Sequence, residues 1–113
     1  MDNFLVLDEK DFAKMSKDDI HARINQLRRN VLIHSIIYYR FNDNIIEDYE
    51  YTAMANELYK LQKLYPDIAK TCVYAEEYKD FDPCTGHNLP LEDPWAVNKA
   101  LYLLRLYGRE IRD

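Results

Sequence analysis

The chain has 113 residues, 15 basic and 20 acidic, and two glycines where an average domain of this length carries about eight. So few glycines exclude a dinucleotide fingerprint or a P-loop and disfavour hairpin-rich β folds, leaving an all-α single domain over residues 1–113 that buries roughly 65% of its unfolded surface. The net charge of -5 disfavours direct nucleic-acid binding, while the lack of a long apolar run or basic leader points to a cytoplasmic protein without membrane association, whose Cys72 and Cys84 are reduced thiols.

Residues 1–15 read as an N-terminal arm. Asn3 to Leu7 form a short apolar segment able to dock as a strand or an irregular stretch, and Asp8 can cap a brief helical turn running to Met15. Ser16, with Asp19 three residues on, approximates a capping box at the start of a long helix. Ile20, Ile24, Leu27, Val31, His34, Tyr38 and Phe41 follow at alternating steps of four and three and mark its buried face, with Arg23, Arg28, Arg29 and Arg40 on the solvated side. His34 on this face reads as a core histidine held by a local hydrogen bond. Asn42, Asp43 and Asn44 supply turn chemistry. A second helix begins near Glu47 and Asp48, presents Tyr51, Met54, Leu58, Leu61 and Tyr65, and stops at Pro66, so residues 16–68 form a helical hairpin.

Residues 69–93 form an aromatic and acidic loop. The part from Lys70 to Tyr78 suits either a short helix or an extended segment, and Asp80 to Pro90 reads as ordered because of its apolar members. The last helix, 94–108, is the clearest: Asp93 as N-cap, Pro94 at the first position, Gly108 past the end, and a buried face of Val97, Ala100, Leu101, Leu104 and Tyr107.

Cys84 and His87 have ligand-like spacing, but one such pair is not a site. A closed zinc centre needs four ligands, which Cys72 with His21, His34 or a carboxylate would have to complete. The expectation is therefore no metal and no catalytic cysteine.

The stretch from about Ile24 to Ile68 resembles the N-terminal Ia domain of bacterial NAD-dependent DNA ligases. Tyr38 near the end of the first helix, Asp48 after the connecting loop, Glu50 and Tyr51, the run Met54 to Leu61, and the close at Leu64 to Ile68 carry the resemblance. In that family the element grips the nicotinamide mononucleotide (NMN) half of NAD through two tyrosines, a histidine and two aspartates. The resemblance implies ligand-binding roles for Tyr38, Asp48 and Tyr51. Two positions depart from the pattern: Tyr39 stands where the family has histidine, and Thr52 where it has aspartate. His34, one turn before Tyr38, is not expected to replace the lost imidazole. The Lys-x-Asp-Gly sequence of adenylate transfer is absent, because Pro83 to Thr85 precede Gly86 and Arg105 to Tyr107 precede Gly108.

The resulting expectation is a non-catalytic helical binding protein, of the accessory kind that phages and other mobile elements carry, which binds and modulates or inhibits a nucleic-acid-handling protein. The surface assigned to that partner is Tyr74, Glu76, Glu77, Tyr78, Asp80, Phe81, Asp82 and Trp95, where aromatic anchors alternate with carboxylates. Ten tyrosines in the chain favour such a surface. The alternative is a residual NMN or NAD binding module acting as sensor, sponge or trans-acting ligase fragment; otherwise no cofactor is expected.

Overall fold

Local capping sets the helix boundaries. In a computed structural model, which describes residues 6–111, Asp8 caps α1 (Glu9–Phe12) by accepting from the Lys10 and Asp11 amides. Ser16 and Asp19 form a reciprocal capping box on the 23-residue α2 (Lys17–Tyr39). Glu47 is the N-cap of α3 (Asp48–Leu64), and Pro66 opens the single turn α4 (Pro66–Ala69). A second short turn, α5 (Ala75–Tyr78), and a 3-10 turn at Gly86–Asn88 occupy the following segment. Asp93 then caps α6 (Pro94–Leu106) through the Ala96 amide at 3.0 Å, and Gly108 beyond it adopts φ +67°. The described residues are helical with no strand. The possible strand over residues 3–7 falls mostly outside them; its described end, Leu7, is irregular.

α2 is the central element, packed on α3 along one side and α6 along the other. This explains the run Val31 to Ile37, every residue of which is buried. A helix covered on all sides must be apolar on all sides, and β-branched residues fill that space at a small cost in helix propensity. Met54, Leu58 and Leu61 of α3 and Ala96, Ala100 and Leu104 of α6 complete the core. Tyr107, expected on the buried face of α6, is instead exposed, because it lies past the end of the helix as its C-cap.

Two arginines depart from the expected solvated face. Arg28 is 2% exposed. Residues 69–78 fold back over it, so its guanidinium donates to Gln62 Oε1 (2.9 Å) and to the Ala69 and Val73 carbonyls (3.0 Å each), and sits over the Tyr78 ring. Arg23 is partly covered and pairs through two bonds, at 2.6 and 2.7 Å, with Glu57, whose carboxylate is fully buried and also accepts from the Leu7 amide.

Tyr74 takes a left-handed backbone conformation, φ 57°, which is unfavourable for a bulky side chain. Its hydroxyl donates to Asp93 at 2.9 Å, tying the segment before α5 to the N-cap of α6. Burial and the neighbouring Asp93 carboxylate push the Tyr74 phenol up to about 12.

Candidate functional site

A groove of about 280 Å³ opens where the end of α2 meets the start of α3. α2 supplies His34, Tyr38 and Tyr39, the connecting loop supplies Asn44, Ile45 and Ile46, and α3 supplies Asp48, Tyr51 and Thr52. The helix period explains the grouping: Asp48, Tyr51 and Thr52 are at i, i+3 and i+4, and His34 and Tyr38 are one turn apart on α2. The volume lies just below the usual range of about 300–1,000 Å³ for small-molecule sites.

The three tyrosines play different structural parts. Tyr38 is 56% exposed and meets Tyr39 edge-on, with ring centroids 4.8 Å apart. Tyr39 turns its other side toward His87, 6.0 Å between ring centroids. Tyr51 is half-buried, and its hydroxyl shares a 2.8 Å hydrogen bond with Ser35. Burial pushes the Tyr51 phenol up, against the lowering effect of that bond. The 3-10 turn approaches so closely that a Cβ on Gly86 would fall 2.4 Å from the Tyr51 hydroxyl and 3.1 Å from Ser35 Oγ. Gly86 is thus needed for close contact, and its turn buttresses the back of Tyr51. Asp48 is exposed as the first residue of α3, and the N-cap position belongs to Glu47. Tyr39 and Thr52 line the groove and leave it open.

His34, not expected to replace the lost imidazole, lines the groove one turn before Tyr38. The signal was present in the sequence, since a residue four before Tyr38 shares its face of the helix. It is 9% exposed, and burial pushes its pKa down to about 4, against an upward pull from the Glu50 carboxylate. The imidazole is therefore neutral at pH 7. Above pH about 6.5 it is neutral both folded and unfolded. Between 6.5 and 4 the unfolded chain takes up a proton that the folded chain refuses, so stability falls as pH falls. The loss reaches about 3 kcal/mol below pH 4. Urea unfolding of the native chain and His34→Gln from pH 7 to 4.5 is expected to show a shallower acid loss in the variant, by about 2–3 kcal/mol at the acid end; parallel profiles would refute the assignment.

The partner surface expected over residues 74–95 does not form one face. Tyr78 is fully buried, donating to the Arg28 carbonyl at 2.7 Å, and Phe81 packs edge-on against it and is 6% exposed. Both are core residues because α5 turns its C-terminal side onto α2. Tyr74 is half-buried with its hydroxyl committed to Asp93, and Asp82 accepts from the Cys84 amide at 2.7 Å. Glu76, Glu77 and Asp80 remain exposed, and Glu76 pairs with Lys79. Trp95 is exposed on α6 under Lys99.

Cys72 is buried and donates to the Ile68 carbonyl, and burial pushes its thiol up; Cys84 is exposed. Among the described residues no group of three His, Cys, Asp or Glu side chains is placed to hold a metal ion, and no helix is long and apolar enough to cross a membrane.

Residues 17–71, which contain α2, α3 and the groove, match the protein family described as DNA ligase-like, N-terminal NAD+-binding domain. Similar curated proteins are DNA ligases. That of Desulforudis audaxviator is 37% identical over 54 residues, covering 48% of this chain and 8% of the ligase. The Pseudothermotoga lettingae ligase is 41% identical over 51 residues, 45% of this chain and 8% of the ligase. The ligase of Thermoanaerobacter sp. is 33% identical over 78 residues, 65% of this chain and 12% of the ligase. The chain thus spans only 8 to 12% of the length of these relatives. No solved structure matches it. With the groove residues inside the matched segment, residues 17–71 are similar to the N-terminal NAD+-binding domain of the DNA ligases.

Proposed function

We propose that this chain is a non-catalytic recognition module that holds the nicotinamide half of a nicotinamide nucleotide in the groove between α2 and α3. One observation carries the reading: Tyr38, Asp48 and Tyr51 line a single open groove although two positions of the family pattern have changed. Exposed tyrosine faces can stack on a planar ring, and the Asp48 carboxylate can accept hydrogen bonds from ribose or carboxamide. Binding without chemistry fits a sensor, a sponge or a fragment acting in trans with a ligase.

Titration calorimetry with NMN tests the reading. Binding at sub-millimolar to millimolar concentration is expected, at least 10-fold weaker in Asp48→Ala and in Tyr38→Ala. Both residues are exposed, so thermal stability should change by only about 0.5 kcal/mol. No heat with millimolar NMN or with millimolar nicotinamide riboside would end the proposal.

A second reading, attachment to a protein that handles nucleic acid, is favoured by a different surface from the one first expected. Trp95, Tyr102 and Leu106 are exposed along α6, outside the matched segment, and the first two are residue types that suit hot-spot contacts.

A further inference from the structure

We propose that the groove selects a flat aromatic cation lacking a phosphate, so that nicotinamide riboside binds in preference to NMN or NAD. The inference rests on the preceding reading of the groove and adds the charge type of its ligand.

The charge within the groove lining favours a cation. Asp48 is the one charged group in the lining, with no lysine or arginine. A helix N-terminus would ordinarily offer an anion site, but α3 begins Glu47, Asp48, Glu50, and these carboxylates oppose the positive end of the helix dipole. Glu50 already accepts from the Glu47 amide at 2.9 Å. Two arginines adjoin the lining residues and both already hold partners within the protein. Arg40 donates to the Leu91 carbonyl and lies over the Phe41 ring. Arg109 binds the Asp43 carboxylate at 2.7 Å and the Asn44 carbonyl at 3.0 Å. The buried imidazole of His34 adds no positive charge at neutral pH.

A pyridinium ring fits this environment. Tyrosine faces attract a cation through the ring quadrupole, and Asp48 supplies the counter-charge at the rim. A volume of about 280 Å³ suits one ring with its sugar rather than a dinucleotide. The phosphate of NMN brings a near-dianion beside Asp48, at the end of α3 that Glu47 and Glu50 also make negative, with no lysine or arginine in the lining to receive it. Repulsion at this range in a partly solvated site weakens binding about 10-fold and is screened by salt.

The test is calorimetry of the whole chain with nicotinamide riboside, NMN, NAD and neutral nicotinamide, at about 20 mM and 500 mM NaCl. Riboside is expected to bind about 10-fold tighter than NMN at low salt, with the gap closing at high salt and in Asp48→Asn, whose fold is checked by circular dichroism. Neutral nicotinamide should bind more weakly than riboside. NMN binding as tightly as riboside, or tighter, would overturn this inference and leave the nicotinamide-binding reading standing. Absence of binding by all four ligands would overturn both.

Discussion

Glu57→Ala is expected to destabilise the chain by about 3–5 kcal/mol, seen as a lower urea midpoint at unchanged slope. The Glu57 carboxylate has no solvent exposure and is held by Arg23 at 2.6 and 2.7 Å and by the Leu7 amide at 3.0 Å. Removing it strands a cation and an amide without their acceptor. The lower end of the range applies, because the Arg23 side chain keeps 15% exposure and a bond to Gln26. Glu57→Gln retains acceptor capacity and loses only the charge, so it should cost less. The paired change Arg23→Met with Glu57→Leu should approach neutrality, since well-packed apolar groups often replace a buried pair without loss. A single Glu57→Ala variant within about 1 kcal/mol of the native chain would show that the pair is not needed.

Arg28→Ala is expected to cost about 3–4 kcal/mol. The side chain fastens three segments: Gln62 of α3, the Ala69 carbonyl at the end of α4, and the Val73 carbonyl before α5. Its loss leaves the half-buried Val73 carbonyl without this donor, leaves the Ala69 carbonyl with only its bond from the Cys72 amide at 3.2 Å, and opens a void beside Tyr78, which its guanidinium covers at 5.5 Å from the ring centroid. Burial pulls the guanidinium below its usual pKa, and the carbonyls hold the charged form in place. Arg28→Lys keeps a charge but cannot span the same partners, so an intermediate loss is expected. Hydrogen exchange supplies the regional signature: amides of residues 69–78 should lose protection in Arg28→Ala more than those of α6. Uniform loss across the chain would refute the fastening role.

The separate stability and ligand-binding predictions divide the molecule physically. Glu57 and Arg28 lie away from the groove lining, whereas Tyr38 and Asp48 are exposed at the groove and contribute little to the core. Variants of the first kind should change unfolding far more than binding. Variants of the second kind should do the reverse.

Much of the candidate site was legible because its residues are linked by helix period and by a short loop. Tyr38, Asp48 and Tyr51 come together as the resemblance implied. His34 joins them in the lining because its spacing from Tyr38 places both on one face of α2. The open state of the groove was not legible. The Gly86 turn, which packs against Tyr51 and lies close to Tyr39, comes from a part of the chain outside the hairpin.

The sequence by itself determined where most helices start and stop. Asp8, the Ser16–Asp19 pair, Asp93 with Pro94, and Gly108 act on amides and dihedrals within a few residues, so their effect needs no distant partner. It also determined the all-α class and the similarity of residues 17–71 to the ligase N-terminal domain. Only the tertiary structure decided which sides of those helices meet water. α6 covers the second side of α2, and residues 69–78 cover Arg28; both come from far along the chain. The same folding back turned Tyr78 and Phe81 from a supposed recognition surface into core. Periodicity identifies a buried stripe when one neighbour covers a helix, but it cannot identify a second neighbour supplied by the rest of the chain.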